Sequence, residues 1–274
     1  MISPGAGFHA SPFGLNVDAR QKNYWLARVE RMFGWFRQSS ECPIDAATRQ
    51  WIDYRWQWLT DEFGLEKLRQ TQVIRPILKY FPDNYKKTPE DATLILNRIC
   101  QYMGIDSDKI LISFYEDRNP VYEGHFLART SGLYHPENGK FRVWVEVSNL
   151  DDPLSLVGTM AHELGHVHLL GHGRISEEVD DHEPLTDLLT VFFGLGIFTA
   201  NSVIREKTWH KGSLSGWSMS RKGYLGMPEY GYAFARFARD RKEDGSDWSR
   251  ELRLGVRTAF NQSMRFLSAE TEVK

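Results

Sequence analysis

Apolar residues recur at helical spacing through most of the chain. Trp25, Leu26, Val29, Met32, Phe33 and Phe36 stand one, three and four residues apart, as on the buried stripe of a helix. Trp51, Tyr54, Trp58 and Leu59 predict a second helix. Phe81-Pro82-Asp83 breaks the pattern and Thr88-Pro89-Glu90 restarts it, so that Ala92, Leu94, Ile95, Ile99 and Met103 predict a third helix, stopped by Gly104. The period then shortens to two. Residues 110–115 and 141–147 read as strands, the second with Val143, Val145 and Val147 on its inward face. Helical spacing returns at Pro153 through Leu156, Val157, Met160, Ala161, Leu164 and Val167, until Gly171 and Gly173 end it. Pro184, suited to a first helical turn, opens the apolar run 185–198. Residues 209–227 are rich in Gly and Ser and read as a loop, and 229–242 and 247–267 predict two closing helices. The pattern defines a mainly helical α+β protein with a small sheet beside the helix that starts at Pro153. A helical region, 1–104, precedes a mixed region, 105–274, with the boundary near 104–108.

Composition narrows the function classes. The 274 residues are 41% hydrophobic and 26% charged, which is ordinary globular usage and excludes a disordered or fibrous chain. Lys and Arg number 34 against 36 Asp and Glu, a formal charge of −2, so nothing in the global charge points to nucleic acid. No apolar stretch approaches the roughly 18 residues of a membrane span, and the first residues lack the pattern of a secretory signal. A cytoplasmic protein is therefore expected. Cys42 and Cys100 are too few for a disulfide framework and read as buried thiols.

The candidate chemistry lies inside the helix that begins at Pro153, where His162-Glu163-Leu164-Gly165-His166 forms an HExxH motif. Two His at i and i+4 are rotated by about 40° and separated by about 6 Å along a helix, so both imidazoles can face one cation. Glu163 sits beside that cation without ligating it, placed to take a proton from water. Two neutral His leave the charge of the metal largely intact, and a third ligand with one open position would make the site catalytic. His168 is turned by about 200° from His166 and should point away.

Two third ligands compete. His172 stands six residues after His166, as in the metzincin pattern HExxHxxGxxH, but Leu169 occupies the place of the turning glycine and Met227 is a weak counterpart of a Met-turn. Glu183 and Asp187, again at i and i+4, stand at the start of the next apolar run. With the HExxH helix this arrangement resembles the thermolysin-like gluzincins, over about 35 residues. The resemblance implies a zincin-like catalytic domain within 105–274 and one Zn2+ held by His162, His166 and Glu183. It also implies that Glu163 is the general base, that Asp187 bonds His162, and that the substrate is a peptide or protein. A downstream Tyr or His would stabilise the oxyanion; Tyr224 and His210 rank first, ahead of Tyr230 and Tyr232, because both lie in the Gly-rich stretch. The strand before the motif would pair with an extended peptide. The acidic run Glu177, Glu178, Asp180, Asp181, Glu183 and Asp187 reads as a solvated loop, with a Ca2+ site as a further expectation. Arg236, Arg239, Arg241 and Lys242 read as a solvated helix face rather than a nucleic-acid or membrane contact. A protein of another class, a metal-stabilised interaction scaffold closed by His162, His166, Glu183 and His172, is the alternative.

Overall fold

The computed structural model describes residues 41–116, 138–211, 214–221, 224–243 and 247–272, with 204–221 and 271–272 described by their backbone. The first predicted stripe, Trp25 to Phe36, lies outside the described residues. The elements in order are α1 (Ala46–Phe63), α2 (Leu65–Gln70), α3 (Pro89–Met103), β1 (Ile110–Tyr115), β2 (Phe141–Glu146), α4 (Pro153–His166), α5 (His182–Phe192), α6 (Gly196–Asn201), β3 (Ile204–Lys211), β4 (Leu214–Arg221), α7 (Met227–Asp240) and α8 (Leu254–Glu272). The described part is thus mainly helical with small two-stranded sheets.

Local chemistry accounts for the helix ends. Thr88 and Asp91 form a reciprocal capping box at the start of α3, and Gly104 closes that helix at φ 71°, a left-handed position that favours glycine. Asp152 caps α4 by accepting from Ser155 N at 3.1 Å, with Pro153 in the first turn. In α1 the buried stripe is Ile52, Trp56 and Leu59, while Tyr54 is exposed. Strands β1 and β2 pair in parallel, Ile110 opposite Phe141 and Ile112 opposite Val143. Phe141, Val143 and Val145 alternate inward as expected; Val147 instead enters a 3₁₀ turn, Val147–Asp151, and is partly exposed.

Helix α4 is central among the described residues. It packs against α3, α5, α6 and β2, burying Leu156, Met160, Ala161 and Leu164. Two glycines seven residues apart open one of its faces. A Cβ at Gly158 would lie 3.0 Å from the Phe198 carbonyl oxygen of α6, and one at Gly165 would lie 2.7 Å from Thr186 Cγ2 of α5. Helices α5 and α6 therefore approach α4 so closely that a side chain at either position would force a neighbour to shift. On the far side α1 packs on α5 and α7, and α8 covers α7.

The structure departs from the sequence pattern elsewhere too, and the predicted helix 247–267 is a 3₁₀ turn, Asp247–Glu251, followed by α8. The apolar run 185–198 is two helices, because Gly194 breaks it at φ 77° and lies so close to Gln72 that a Cβ would meet that carbonyl oxygen at 2.1 Å. Most of the stretch read as a Gly- and Ser-rich loop is the antiparallel pair β3–β4, with Thr208 opposite Trp217. Its Thr, Trp and Met residues suit a strand, and the Gly212-Ser213 dipeptide between the two runs is a hairpin signal that composition alone concealed. In the basic cluster at the end of α7, Arg239 and Lys242 are exposed, as a solvated face would be, but Arg241 and Arg236 are internal ties. Arg241 donates to the carbonyls of Leu68 at 3.0 Å, Arg69 at 3.2 Å and Thr71. Arg239 donates to Leu267 O at 3.2 Å, and Arg236 lies 3.6 Å from Asp53.

Candidate metal centre

The HExxH motif occupies the last turn and a half of α4, and α5 crosses it where Gly165 leaves room. His162 Nε2, His166 Nε2 and a Glu183 carboxylate oxygen converge from these two helices. The nitrogens are 3.1 Å apart, and Glu183 Oε2 lies 3.0 Å from His162 and 3.3 Å from His166. Among the described residues this is the one group of three His, Cys, Asp or Glu side chains close enough to hold a metal ion. A tetrahedral ion bound at 2.0–2.1 Å has ligand atoms about 3.3 Å from one another, so the observed triangle is of the right size.

The other face of each imidazole is fixed. His162 Nδ1 lies 2.8 Å from Asp187 Oδ1, and the carboxylate can only accept, so Nδ1 carries the proton. Asp187 is itself held, since its Oδ2 accepts from Tyr224 N at 2.7 Å and Leu225 N at 3.0 Å. His166 Nδ1 is 3.2 Å from Thr186 Oγ1, whose hydroxyl hydrogen is donated to His182 O at 2.7 Å. The Thr186 oxygen therefore accepts from His166 Nδ1–H. Both neutral rings are left with a lone pair on Nε2, aimed at the same point as a carboxylate oxygen. A proton on one Nε2 or a metal ion between the three atoms would satisfy this arrangement, and the donor set of two imidazoles and a carboxylate suits a borderline metal ion.

Without a metal, the same carboxylates favour a proton on His162, which a bound metal ion would displace. Burial opposes charge on His162, but the bonds to Asp187 and Glu183 outweigh it and push its pKa up to about 10. Burial likewise opposes charge on Glu183, yet the two histidines hold its carboxyl well below the usual range. Glu163, 6% exposed, lies on α4 close enough for its charge to act on both His162 and Tyr224. The Tyr224 ring stacks on that of His162 with centroids 6.0 Å apart and planes 16° off parallel. Burial and the charges of Glu183 and Asp187 push its hydroxyl up to about 12, so it stays protonated near neutrality.

After His166 the helix loosens into a π-helical turn, Val167–Gly171, in which His172 N bonds Val167 O at 3.0 Å. Leu169 needs no left-handed conformation here, and the turn carries the later histidines away. His168 is buried, donating from Nε2 to Met103 O at 3.0 Å and stacked on Phe193 at 4.8 Å; burial pushes its pKa down to about 4. His172 Nδ1 accepts from Arg174 at 3.0 Å, with its ring edge-on to Phe141. It does not join the group of three.

Of the other residues singled out in the sequence, Tyr232 donates to Asp53 at 3.0 Å, and Tyr230 is fully buried beneath Asp187 and Thr199. His210 belongs to β3, and its side chain lies outside the described residues. In the acidic run Asp181 pairs with Arg55 and Trp51 rather than with other carboxylates, and among the described residues no second ligand group supports the calcium expectation. Two further residues flank the site, Thr186 and also His182, whose ring lies 5.8 Å from that of His166. Spacing hints at Thr186, one turn after His182 and three residues after Glu183, only once the crossing at Gly165 is known.

Comparison of the chain with protein-family models, curated proteins and solved structures finds no match.

Proposed function

We propose that this protein is a zinc-dependent hydrolase of the gluzincin type, with a zincin-like core built on α4 and α5 and a peptide or protein as substrate. The observation that carries this reading is the pair of tautomer-locked imidazoles sharing Glu183, with the buried Glu163 carboxylate beside them. Zinc bound by His162, His166 and Glu183 would supply Lewis acidity, lowering the pKa of water toward about 7 and polarising a substrate carbonyl. Asp187 and Thr186 keep both imidazoles oriented as ligands. Glu163 accepts the proton of the attacking water as its oxygen bonds the carbonyl carbon, and returns it to the amine nitrogen as the C–N bond breaks. Tyr224, protonated at neutral pH, donates to the carbonyl oxygen as that atom gains negative charge.

Among the described residues β2 pairs with β1, and in this proposal its second edge pairs with an extended peptide. The scaffold alternative calls for His172 as a fourth ligand, and the bond of that ring to Arg174 argues against it. Among the described residues no helix is long and apolar enough to cross a membrane.

Elemental analysis of dialysed wild type and Glu163→Gln, with a peptide library assayed on both, tests the proposal. One zinc per chain in each, with cleavage in wild type only, supports it; equal cleavage by the two removes Glu163 from the mechanism.

A further inference from the structure

Asp181 immediately precedes the first turn of α5, where an aspartate ordinarily accepts hydrogen bonds from the N–H groups of its own helix. Its side chain makes no such bond. The carboxylate reaches across to α1: Oδ2 accepts from Trp51 Nε1 at 2.6 Å and from Arg55 Nε at 2.7 Å, while Oδ1 accepts from Arg55 Nη2. This is a two-point guanidinium–carboxylate fork with a third donor, a geometry that fixes direction as well as distance. It is largely shielded, with the side chains of Arg55 and Asp181 14% and 25% exposed. Burial opposes charge on Asp181, and the bonds from Arg55 and Trp51 nevertheless hold its carboxyl below the usual range.

Helix α1 is a firm anchor for such a fork. Ile52, Trp56 and Leu59 are fully buried, Trp56 Nε1 donates to Asp240 at 2.8 Å, and Asp53 accepts from Tyr232. Two residues beyond Asp181 stands Glu183. The next turn of α5 is bound to α4 through Thr186 and Asp187, so the segment bearing Glu183 is restrained from both sides.

We propose that Arg55 and Trp51, acting through Asp181, are positioning residues for the metal centre: α1 fixes the backbone that presents Glu183 and thereby sets metal affinity. The inference rests on the reading that His162, His166 and Glu183 bind a metal. It gives the helical region before the motif a part in the site, where the motif and its ligands alone would leave it a cover.

The test measures cobalt(II) and zinc dissociation constants by chelator competition, the visible spectrum of the cobalt form, and the unfolding midpoint of the metal-free protein. Wild type is compared with Asp181→Asn, Arg55→Gln and Arg55→Lys. Wild type should bind one metal. Asp181→Asn and Arg55→Gln should weaken binding about 10- to 100-fold, the range for residues that orient ligands, and alter the cobalt bands while the metal-free midpoint stays near that of wild type. Arg55→Lys keeps the charge without the fork and should fall between; it also carries the comparison if Asp181→Asn does not fold. Wild-type affinity and spectrum in the variants would overturn the inference and leave the metal reading standing, as would an affinity loss that merely tracks lower metal-free stability. Absence of metal binding in wild type would remove both.

Discussion

His166 Nδ1 and Thr186 Oγ1 lie 3.2 Å apart, and the Thr186 hydroxyl spends its hydrogen on the carbonyl of His182. One threonine therefore decides which nitrogen of His166 is left for a metal. Thr186→Val keeps the shape and removes the acceptor, so His166 loses its tautomer restraint. Metal affinity should fall about 10- to 100-fold, whereas Glu183→Ala, which deletes a ligand, should abolish stoichiometric binding. Zinc content after dialysis against a weak chelator distinguishes the two, and unchanged affinity in Thr186→Val would show that the hydroxyl does not orient His166.

Tyr224 is expected to act on the reaction and not on the metal. Its hydroxyl stays protonated near neutral pH, and its ring lies over His162. Tyr224→Phe retains the stacked ring and removes the donor, so kcat on a cleaved peptide should drop about 100- to 1,000-fold while zinc content holds. A loss of zinc with no separate effect on kcat would make Tyr224 a structural cover for the ligand.

Gly165 tests whether the close crossing of α4 and α5 builds the site. Alanine is the better helix former by up to about 1 kcal/mol, but its Cβ would lie 2.7 Å from Thr186 Cγ2. Thr186 cannot turn that methyl aside without giving up the bonds of Oγ1 to His166 and His182. Gly165→Ala should therefore destabilise the protein by about 1–3 kcal/mol, as overpacking does, and weaken metal binding. Adding Thr186→Ser removes the methyl and keeps the hydroxyl, so the double variant should recover both properties. Additive losses in denaturant titrations and metal competition would refute the steric account.

What the sequence disclosed follows from the range of the interactions. His162, His166, Glu183 and Asp187 are legible because i and i+4 pairs on helices are local patterns. So are the cap at Thr88, the stop at Gly104 and the alternation of Phe141, Val143 and Val145. Thr186 and Arg55 are not, because their roles arise from contacts between residues 20 and 126 positions apart. Leu169 looked wrong for a turn because the pattern does not foresee a π-helical turn there. Arg241 reads as solvated in the sequence because nothing near it announces the carbonyls at the end of α2. Helix period and motif spacing thus locate the candidate ligands, while tertiary packing supplies the residues that contact them.

His168 should make the fold acid-sensitive through a route separate from the metal. It is 7% exposed, stacked on Phe193 and edge-on to Phe63, and its pKa is pushed down to about 4 by burial. An unfolded chain would protonate this ring near pH 6.5. Between those values the unfolded state binds a proton that the folded state does not, so the contribution is whole above about pH 6.5 and drains away as pH falls. By pH 4 the loss is on the order of 2–3 kcal/mol. His168→Gln can still donate to Met103 O but does not titrate. Urea unfolding of both metal-free proteins at pH 7 and pH 4.5 isolates the effect, because every other group is common to the pair. The stability gap between them should shift toward the glutamine variant as pH falls; parallel curves would mean that His168 gains its proton in the folded protein as readily as in the unfolded chain.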